Sequence, residues 1–337
     1  MNDLASIPAP ASGRRPTARL PGDGSGVAEA ARLIRAGACV AFPTETVYGL
    51  GADATDAEAV AGIFAAKARP RFNPLIAHLP GRVAAEGQGT FDDHALRLAE
   101  AFWPGPLTLV VPASGGTTVC DLARAGLPSV ALRVPANPLA RDLLDAIGRP
   151  VAAPSANRSG RVSPTRADHV LADLDGRIAA VLDGGDTPVG IESTVIACLG
   201  GPPRLLRPGG ITGAAIAAVL GTALAAPAQD DAARPIGPGL LASHYAPRAA
   251  LRLDAEVVEP DEAVLLFGAS RPVGIERARA VSNLSPRGDL TEAASRLFAA
   301  LRDLDASGAA TIAVCRIPAD GLGEAILDRL GRAAAPR

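Results

Sequence analysis

From about residue 27 to residue 216 the chain alternates short apolar runs with Ala-rich stretches of helical length, and this alternation restricts it to an α/β architecture. Strand-length runs fall at 38–41, 74–78, 107–111, 130–134, 151–153, 179–182 and 193–197. Thr55, with Glu58 three residues on, has capping-box spacing for a helix over 56–68 that Pro70 ends. Ser163-Pro164 has the pattern of an N-cap with proline at N1, opening a helix that runs to about Ala172. Aromatic residues make up only 3% of the chain, so its cores must be built from Ala, Val, Leu and Ile, packed by helices and parallel strands.

A length of 337 residues suits two domains at about 150 residues each. Periodicity fades at 221–247, GTALAAPAQDDAARPIGPGLLASHYAP, which reads as an interdomain linker. Beyond it, strands at 249–253, 263–267 and 311–314 and an amphipathic helix at 290–304 fit a small three-layer α/β domain without a GxGxxG fingerprint. The N-terminal MNDLASIPAPASGRRPTARLPGDGSG reads as a flexible tail: despite Arg14-Arg15 it has no apolar core of a secretory signal. No apolar run approaches the ~20 residues a bilayer requires.

The formal charge of −2 argues against broad electrostatic capture of nucleic acid, while leaving room for a local basic pocket. Cys39, Cys120, Cys198 and Cys315 form no CxxC pair and are expected as free thiols in a reducing cytosol. Lys67 is the only lysine among many arginines. A retained Lys points to a site needing a compact ammonium on a flexible stem rather than a planar fork.

One stretch carries far more chemistry than a turn requires. Phe42-Pro43-Thr44-Glu45-Thr46-Val47-Tyr48-Gly49-Leu50-Gly51 leaves an apolar run through proline and places hydroxyls and a carboxylate before the glycines. KARPRFNPLIAH (67–78), PSANRSGRVSPT (154–165), IESTV (191–195) and LRPG (206–209) repeat the theme of donors at strand ends. Such a set suits a ligand with several anionic oxygens, gripped by arginine forks and completed by Ser, Thr and Asn. Each piece also has a plainer role: Ser163 as a cap, Lys67 and Arg69 as complements to a helix C-terminus, His78 as a core histidine. GxxxxGK[ST], the kinase set, GxSxG and HExxH are all absent, so any ATP would be held by a less common arrangement.

In this order the five motifs resemble those of the threonylcarbamoyl-AMP synthase family, and HYAP (244–247) after a proline-rich linker resembles its two-domain form. The resemblance implies a twisted mixed-sheet α/β catalytic domain and a smaller C-terminal Rossmann-like α/β domain. The implied partition is a tail at 1–22, the catalytic domain at 23–217, a linker or lid at 218–248 and the second domain at 249–337. It also implies that L-threonine, bicarbonate and ATP give L-threonylcarbamoyladenylate and pyrophosphate, with Mg2+ on the triphosphate. The product would pass to a transferase complex that modifies tRNAs reading codons beginning with A, in the cytoplasm, with direct tRNA binding secondary.

Carried over by position, Thr46, His78, Arg133, Ser155 and Ser193 would meet threonine or its carbamate. Arg69, Asn73, Ser129, Asn157, Thr165, Arg207 and Tyr245 would meet ATP. Lys67 and Arg69 are the expected catalytic cations, and no protein metal cluster is visible in the sequence. The family often has PGMKYRHYAP where this chain reads PGLLASHYAP (238–247), which removes the lid contacts of Lys, Tyr and Arg. Two other readings compete: a hydrogenase-maturing carbamoyltransferase, which would carry acylphosphatase and Cys-rich segments, and a non-catalytic RNA-binding module, for which stacking aromatics are scarce.

Overall fold

The computed structural model describes residues 16–70, 73–225, 237 and 244–336. Its first unit runs β1 (Ala18–Pro21), α1 (Gly24–Arg35), β2 (Val40–Pro43), β3 (Tyr48–Asp53), α2 (Ala57–Lys67), β4 (Ile76–His78), α3 (Arg82–Glu86), α4 (Asp93–Phe102), β5 (Leu107–Pro112), α5 (Asp121–Arg124), β6 (Ser129–Arg133), α6 (Pro138–Ile147), β7 (Val151–Ala152), α7 (Ala167–Leu174), β8 (Ala180–Asp183), β9 (Thr194–Ala197), β10 (Arg204–Arg207) and α8 (Gly213–Leu220). The second unit adds β11 (Ala250–Arg252), β12 (Ala263–Leu266), β13 (Ala280–Asn283), α9 (Leu290–Ala306), β14 (Thr311–Val314) and α10 (Gly323–Ala334).

The first ten strands form one mixed sheet in the order β1-β8-β2-β3-β7-β4-β6-β5-β9-β10, and the last four a separate parallel sheet, β11-β14-β12-β13. This is the expected mixed α/β fold with a smaller α/β unit behind it. One face of the large sheet packs under α2, α4 and α8 through Val60, Ile63, Phe64, Leu98 and Ile216. The other packs under α1 and α6 through Ile34, Leu143 and Leu144 against Phe42 and Leu182. A further apolar cluster joins the units, with Val47, Val162 and Ile191 on one side and Phe298, Leu301 and Leu330 on the other. At this seam Gly190 has φ +74°, and a Cβ there would lie 2.3 Å from the Ser295 carbonyl oxygen, so only glycine permits the approach.

Several expectations need correction. Residues 18–21 are not tail: β1 pairs in parallel with β8, and Arg19 bridges Asp168 and Asp183 at 2.9 and 2.6 Å. An exposed edge strand of this kind carries no apolar alternation by which to read it. The cap of α2 is Asp56, which accepts from the Glu58 N–H, while Thr55 is turned toward Asp53. Ser163 caps nothing: α7 starts at Ala167, and the Ser163 hydroxyl donates to Glu192 at 2.5 Å. α8 continues to Leu220, inside the expected linker, whose residues 226–236 and 238–243 lie outside the described residues. The sequence offers no individual expectation for β3, β10 or β13, nor for α1, α3, α4, α5, α6, α8 or α10. Cys39, Cys120, Cys198 and Cys315 are free thiols. Among the described residues no helix is long and apolar enough to cross a membrane.

Candidate active site

The stretch 42–51 is a hairpin, β2 antiparallel to β3 with Phe42 opposite Gly49. Thr44 builds its turn: the hydroxyl donates to the Val47 carbonyl at 2.7 Å and accepts from the N–H groups of Thr46 and Val47. Glu45 is buried and accepts from Arg133 at 2.6 Å and from the Ala136 N–H at 3.0 Å. The hairpin therefore brings a carboxylate to the end of β6, where it fixes a guanidinium at the cavity. Breaking such a pair leaves an uncompensated charge, at a cost of about 3–5 kcal/mol.

α2 ends at Lys67 with Ala68 in the left-handed region (φ 52°), and this turn sends Arg69 toward the cavity. Lys67 Nζ itself donates to the carbonyls of Ser155 (2.5 Å) and Asn157, and its own carbonyl accepts from the Ser159 N–H. The ammonium thus holds the loop after β7 in place. Burial pushes the Lys67 amine well below its ordinary value, and neighbouring Arg69 adds to the effect. Arg69 is likewise brought down to about 10 by burial, with Arg207 contributing.

Segments 191–195 and 206–209 lie against each other. A Cβ on Gly209 would sit 2.4 Å from the Glu192 carbonyl oxygen, so the contact requires glycine. Arg207 donates to the Ser193 carbonyl at 2.8 Å and to its hydroxyl at 3.2 Å, and that hydroxyl meets Thr108 Oγ1 at 2.7 Å. Across the opening, Ala246 N–H bonds the Gly160 carbonyl, which seats His244 and Tyr245 over the cavity. Tyr245 has φ 63° and stacks on Phe298 at 5.7 Å.

The result is a cavity of about 50 Å³ walled by Thr44, Arg69, His78, Arg133, Ser155, Glu192, Ser193, Arg207, His244 and Tyr245 among others. Among the described residues, several buried polar atoms without partners belong to its wall, Arg69 Nε, Arg133 Nε, His244 Nδ1 and the Tyr245 hydroxyl, and two more to the neighbouring motifs, Asn73 Oδ1 and Asn157 Oδ1. Buried groups of this kind are ordinarily satisfied, so their concentration here marks a place for a ligand. Burial lowers His78 to about 3, assisted by Arg133, and lowers His244 to about 3 as well. Both imidazoles are neutral near pH 7, with one nitrogen donating and the other accepting, and His78 Nδ1 stands 3.2 Å from the Ile76 carbonyl oxygen.

Seven of the residues singled out in the sequence reach the wall: Arg69, His78, Arg133, Ser155, Ser193, Arg207 and Tyr245. Asn73 and Asn157 are not in the wall, and their side-chain amide oxygens have no partner among the described residues. The other four do not line it. Thr46 is fully buried against the Thr44 hydroxyl at 2.8 Å, and Thr44 takes the wall position because the tight turn points it inward. Lys67 is held by the two carbonyls. Ser129 begins β6, about 13 Å from Arg133 at ~3.3 Å per strand residue. Thr165 contacts His169 and borders a separate cavity of about 250 Å³ with Arg166, Thr187 and Arg296. Glu45 and Glu192 have no site role in the sequence reading, although both stand inside the motifs: a donor set suited to anionic oxygens gives no reason to place carboxylates among them.

Residues 32–209 match the family model described as "Telomere recombination" (Sua5/YciO/YrdC), and residues 211–335 match that of the threonylcarbamoyl-AMP synthase C-terminal domain. The chain is 42% identical over 324 residues to a threonylcarbamoyl-AMP synthase of Bacillus subtilis, covering 92% of this chain and 93% of that one. It is 42% identical over 329 residues to the enzyme of that name from Pyrococcus abyssi, with 91% and 94% covered. The crystal structure of P. abyssi Sua5 complexed with L-threonine superposes with a TM-score of 0.84 at 37% identity, over 94% of this chain and 97% of that one. Two domain models in sequence order, identity along nearly the whole length and a shared fold agree: the chain belongs to the threonylcarbamoyl-AMP synthase family of nucleotidyltransferases.

Proposed function

We propose that the protein joins L-threonine, bicarbonate and ATP into L-threonylcarbamoyladenylate and releases pyrophosphate, using the cavity between Arg69, Arg133 and Arg207. The observation that carries this reading is the set of buried polar atoms, unpartnered among the described residues, around three guanidinium groups. A small amino acid and a nucleotide would supply the partners those atoms lack. That a relative of 37% identity is known in complex with L-threonine supports the amino-acid half.

Bicarbonate takes a proton and loses water to give carbon dioxide, which the threonine amine takes up, losing a proton to become the carbamate. A carbamate oxygen then bonds to the α-phosphorus while the bond from that phosphorus to the leaving pyrophosphate breaks. Two anions must approach each other, so the main contributions are alignment and fixed positive charge. Arg133, held by Glu45, with His78, Ser155 and Ser193, faces threonine and its carbamate; Thr44 replaces Thr46 in that group. Arg69, Arg207, Asn73, Asn157 and Tyr245 hold the nucleotide, with Ser129 and Thr165 reaching its outer parts. Lys67 acts on the Ser155–Ser159 loop. The donors are guanidinium, hydroxyl and amide groups, which fit phosphate oxygens rather than a cation, and among the described residues no three His, Cys, Asp or Glu side chains gather. Mg2+ would therefore arrive on the triphosphate, where it neutralises phosphate charge.

A cavity of about 50 Å³ admits a few waters and no nucleotide. Withdrawal of the His244–Tyr245 segment would open the cavity to substrate, and its return would shield a labile mixed anhydride from water. The product would feed the threonylcarbamoylation of adenosine in tRNAs reading codons that begin with A, through a transferase complex in the cytoplasm. Pyrophosphate release from ATP with magnesium, omitting threonine and bicarbonate in turn and detecting the adenylate by mass, tests the reading. Release that needs both supports it; release independent of threonine refutes it.

A further inference from the structure

The most deeply buried charge of the second unit stands in none of the motifs. Arg329, on α10, is fully buried. Its Nε donates to Glu192 Oε2 at 2.8 Å, one terminal nitrogen to the Pro208 carbonyl at 3.0 Å and the other to Asp328 at 2.5 Å. The guanidinium carbon lies 5.0 Å from the centre of the Tyr245 ring. Segments 191–195, 206–209 and 244–247 therefore meet on one side chain, supplied by a unit that adds no residue beyond Tyr245 to the cavity wall.

Glu192 explains why such a side chain is required. Its carboxyl stands in the wall of a cavity suited to anions, and its second oxygen holds the Ser163 hydroxyl at 2.5 Å. Burial pushes this carboxyl up, but Arg329, Arg207 and the Ser163 hydroxyl together hold it below its ordinary value, so it stays ionised. With Arg329 gone, a buried negative charge would face the incoming phosphates with less compensation, and the Tyr245 ring would lose its cation.

We infer that Arg329 is a positioning residue for the nucleotide half of the site, touching no substrate and acting by neutralising Glu192 and fixing Pro208 and Tyr245. The inference rests on the synthase reading above. It makes the second unit a working wall support of the active site in addition to the place where the linker ends. Arg302 on α9 provides the comparison. It also crosses between the units, donating to the Val162 carbonyl at 2.5 Å and to Asp173 at 2.8 Å, yet it meets none of the cavity wall.

The test uses the full chain, measuring KM for ATP, KM for threonine, kcat of pyrophosphate release and the thermal midpoint for Arg329→Met and Arg302→Met. Both variants are expected to lower the midpoint, but only Arg329→Met raises KM for ATP, by about tenfold or more, with a smaller change in kcat. Adding Glu192→Gln to Arg329→Met should recover part of that loss, because the uncompensated carboxylate is then gone. The inference is overturned if KM for ATP stays within about twofold in Arg329→Met. It is equally overturned if KM follows the midpoint alike in both variants, or if the double variant is no better than the single one. Should Arg329→Met not fold, Arg329→Lys is read instead: one ammonium cannot serve Glu192, Pro208 and the Tyr245 face together, so KM should rise severalfold, and an unchanged KM refutes the role. A wild-type protein that releases no pyrophosphate overturns the synthase reading and this inference with it. Active wild type with insensitive Arg329 variants overturns the positioning role alone.

Discussion

Lys67 Nζ lies 2.5 Å from the carbonyl oxygen of Ser155 and also donates to Asn157, so the single lysine of the chain supports the loop behind the cavity instead of facing into it. Lys67→Ala should leave two buried carbonyls without a donor, at about 1–3 kcal/mol each. The expected result is a lower thermal midpoint and a fall in turnover together, with Lys67→Arg a poor substitute because a planar fork does not fit between two converging carbonyls. Calorimetry beside pyrophosphate release checks this. A normal midpoint with abolished turnover would return Lys67 to the chemistry.

Thr44 and Thr46 separate two roles that adjacent hydroxyls could have shared. Thr44→Val removes the acceptor for two backbone N–H groups and a wall hydroxyl, and should cost about 1–3 kcal/mol while raising KM for threonine. Thr46→Val loses only its contact with Thr44 and should change KM little. Threonine titrations on both variants decide it; the opposite ranking would place Thr46 at the substrate.

The Tyr245 hydroxyl is buried with no partner among the described residues, and burial raises its pKa. Tyr245→Phe should therefore leave the ligand-free protein as stable or slightly more so, since removing an unsatisfied group relieves its desolvation cost. The same change should weaken ATP binding, visible as a smaller thermal shift on adding ATP. Equal shifts in both proteins would remove the hydroxyl from nucleotide contact.

Acid should weaken the fold from about pH 6.5 downward through its buried histidines. Burial lowers His78, His169 and His244 to about 3, against an ordinary 6.5. As pH falls through 6.5 the unfolded chain binds protons that the folded chain refuses until about 3, so stability is complete above that window and is lost within it. By pH 5 each histidine accounts for at most about 2 kcal/mol. Thermal midpoints at pH 7.5 and 5 should differ strongly in wild type and less in His78→Gln; identical pH dependence would mean that His78 titrates alike in the folded and the unfolded chain.

Strand ends made the site legible in sequence. Arg69, His78 and Ser155 each closely follow an apolar or helical run, so local pattern groups their motifs, whereas Arg133 enters only through the family resemblance. Partners chosen across the fold left no such trace. Glu192 and Arg329 lie 137 residues apart, and nothing around Leu322–Leu330 distinguishes Arg329 from a solvated helix arginine. Thr44 and Thr46 differ only in hairpin hydrogen bonds, which composition cannot rank. The strand Ala18–Pro21 was invisible because its side chains are largely exposed and its pairing is made by backbone.

The two borders of the large sheet share a feature with a consequence outside catalysis. β1 presents Arg19 and ends in Pro21, while β10 opens with Arg204, has Ala225 bridged beside it and is followed by Pro208. Charge and proline make both borders poor templates for a further strand. Ten strands can then be displayed in one sheet with little tendency for copies of the chain to zip together edge to edge as they accumulate in a cell.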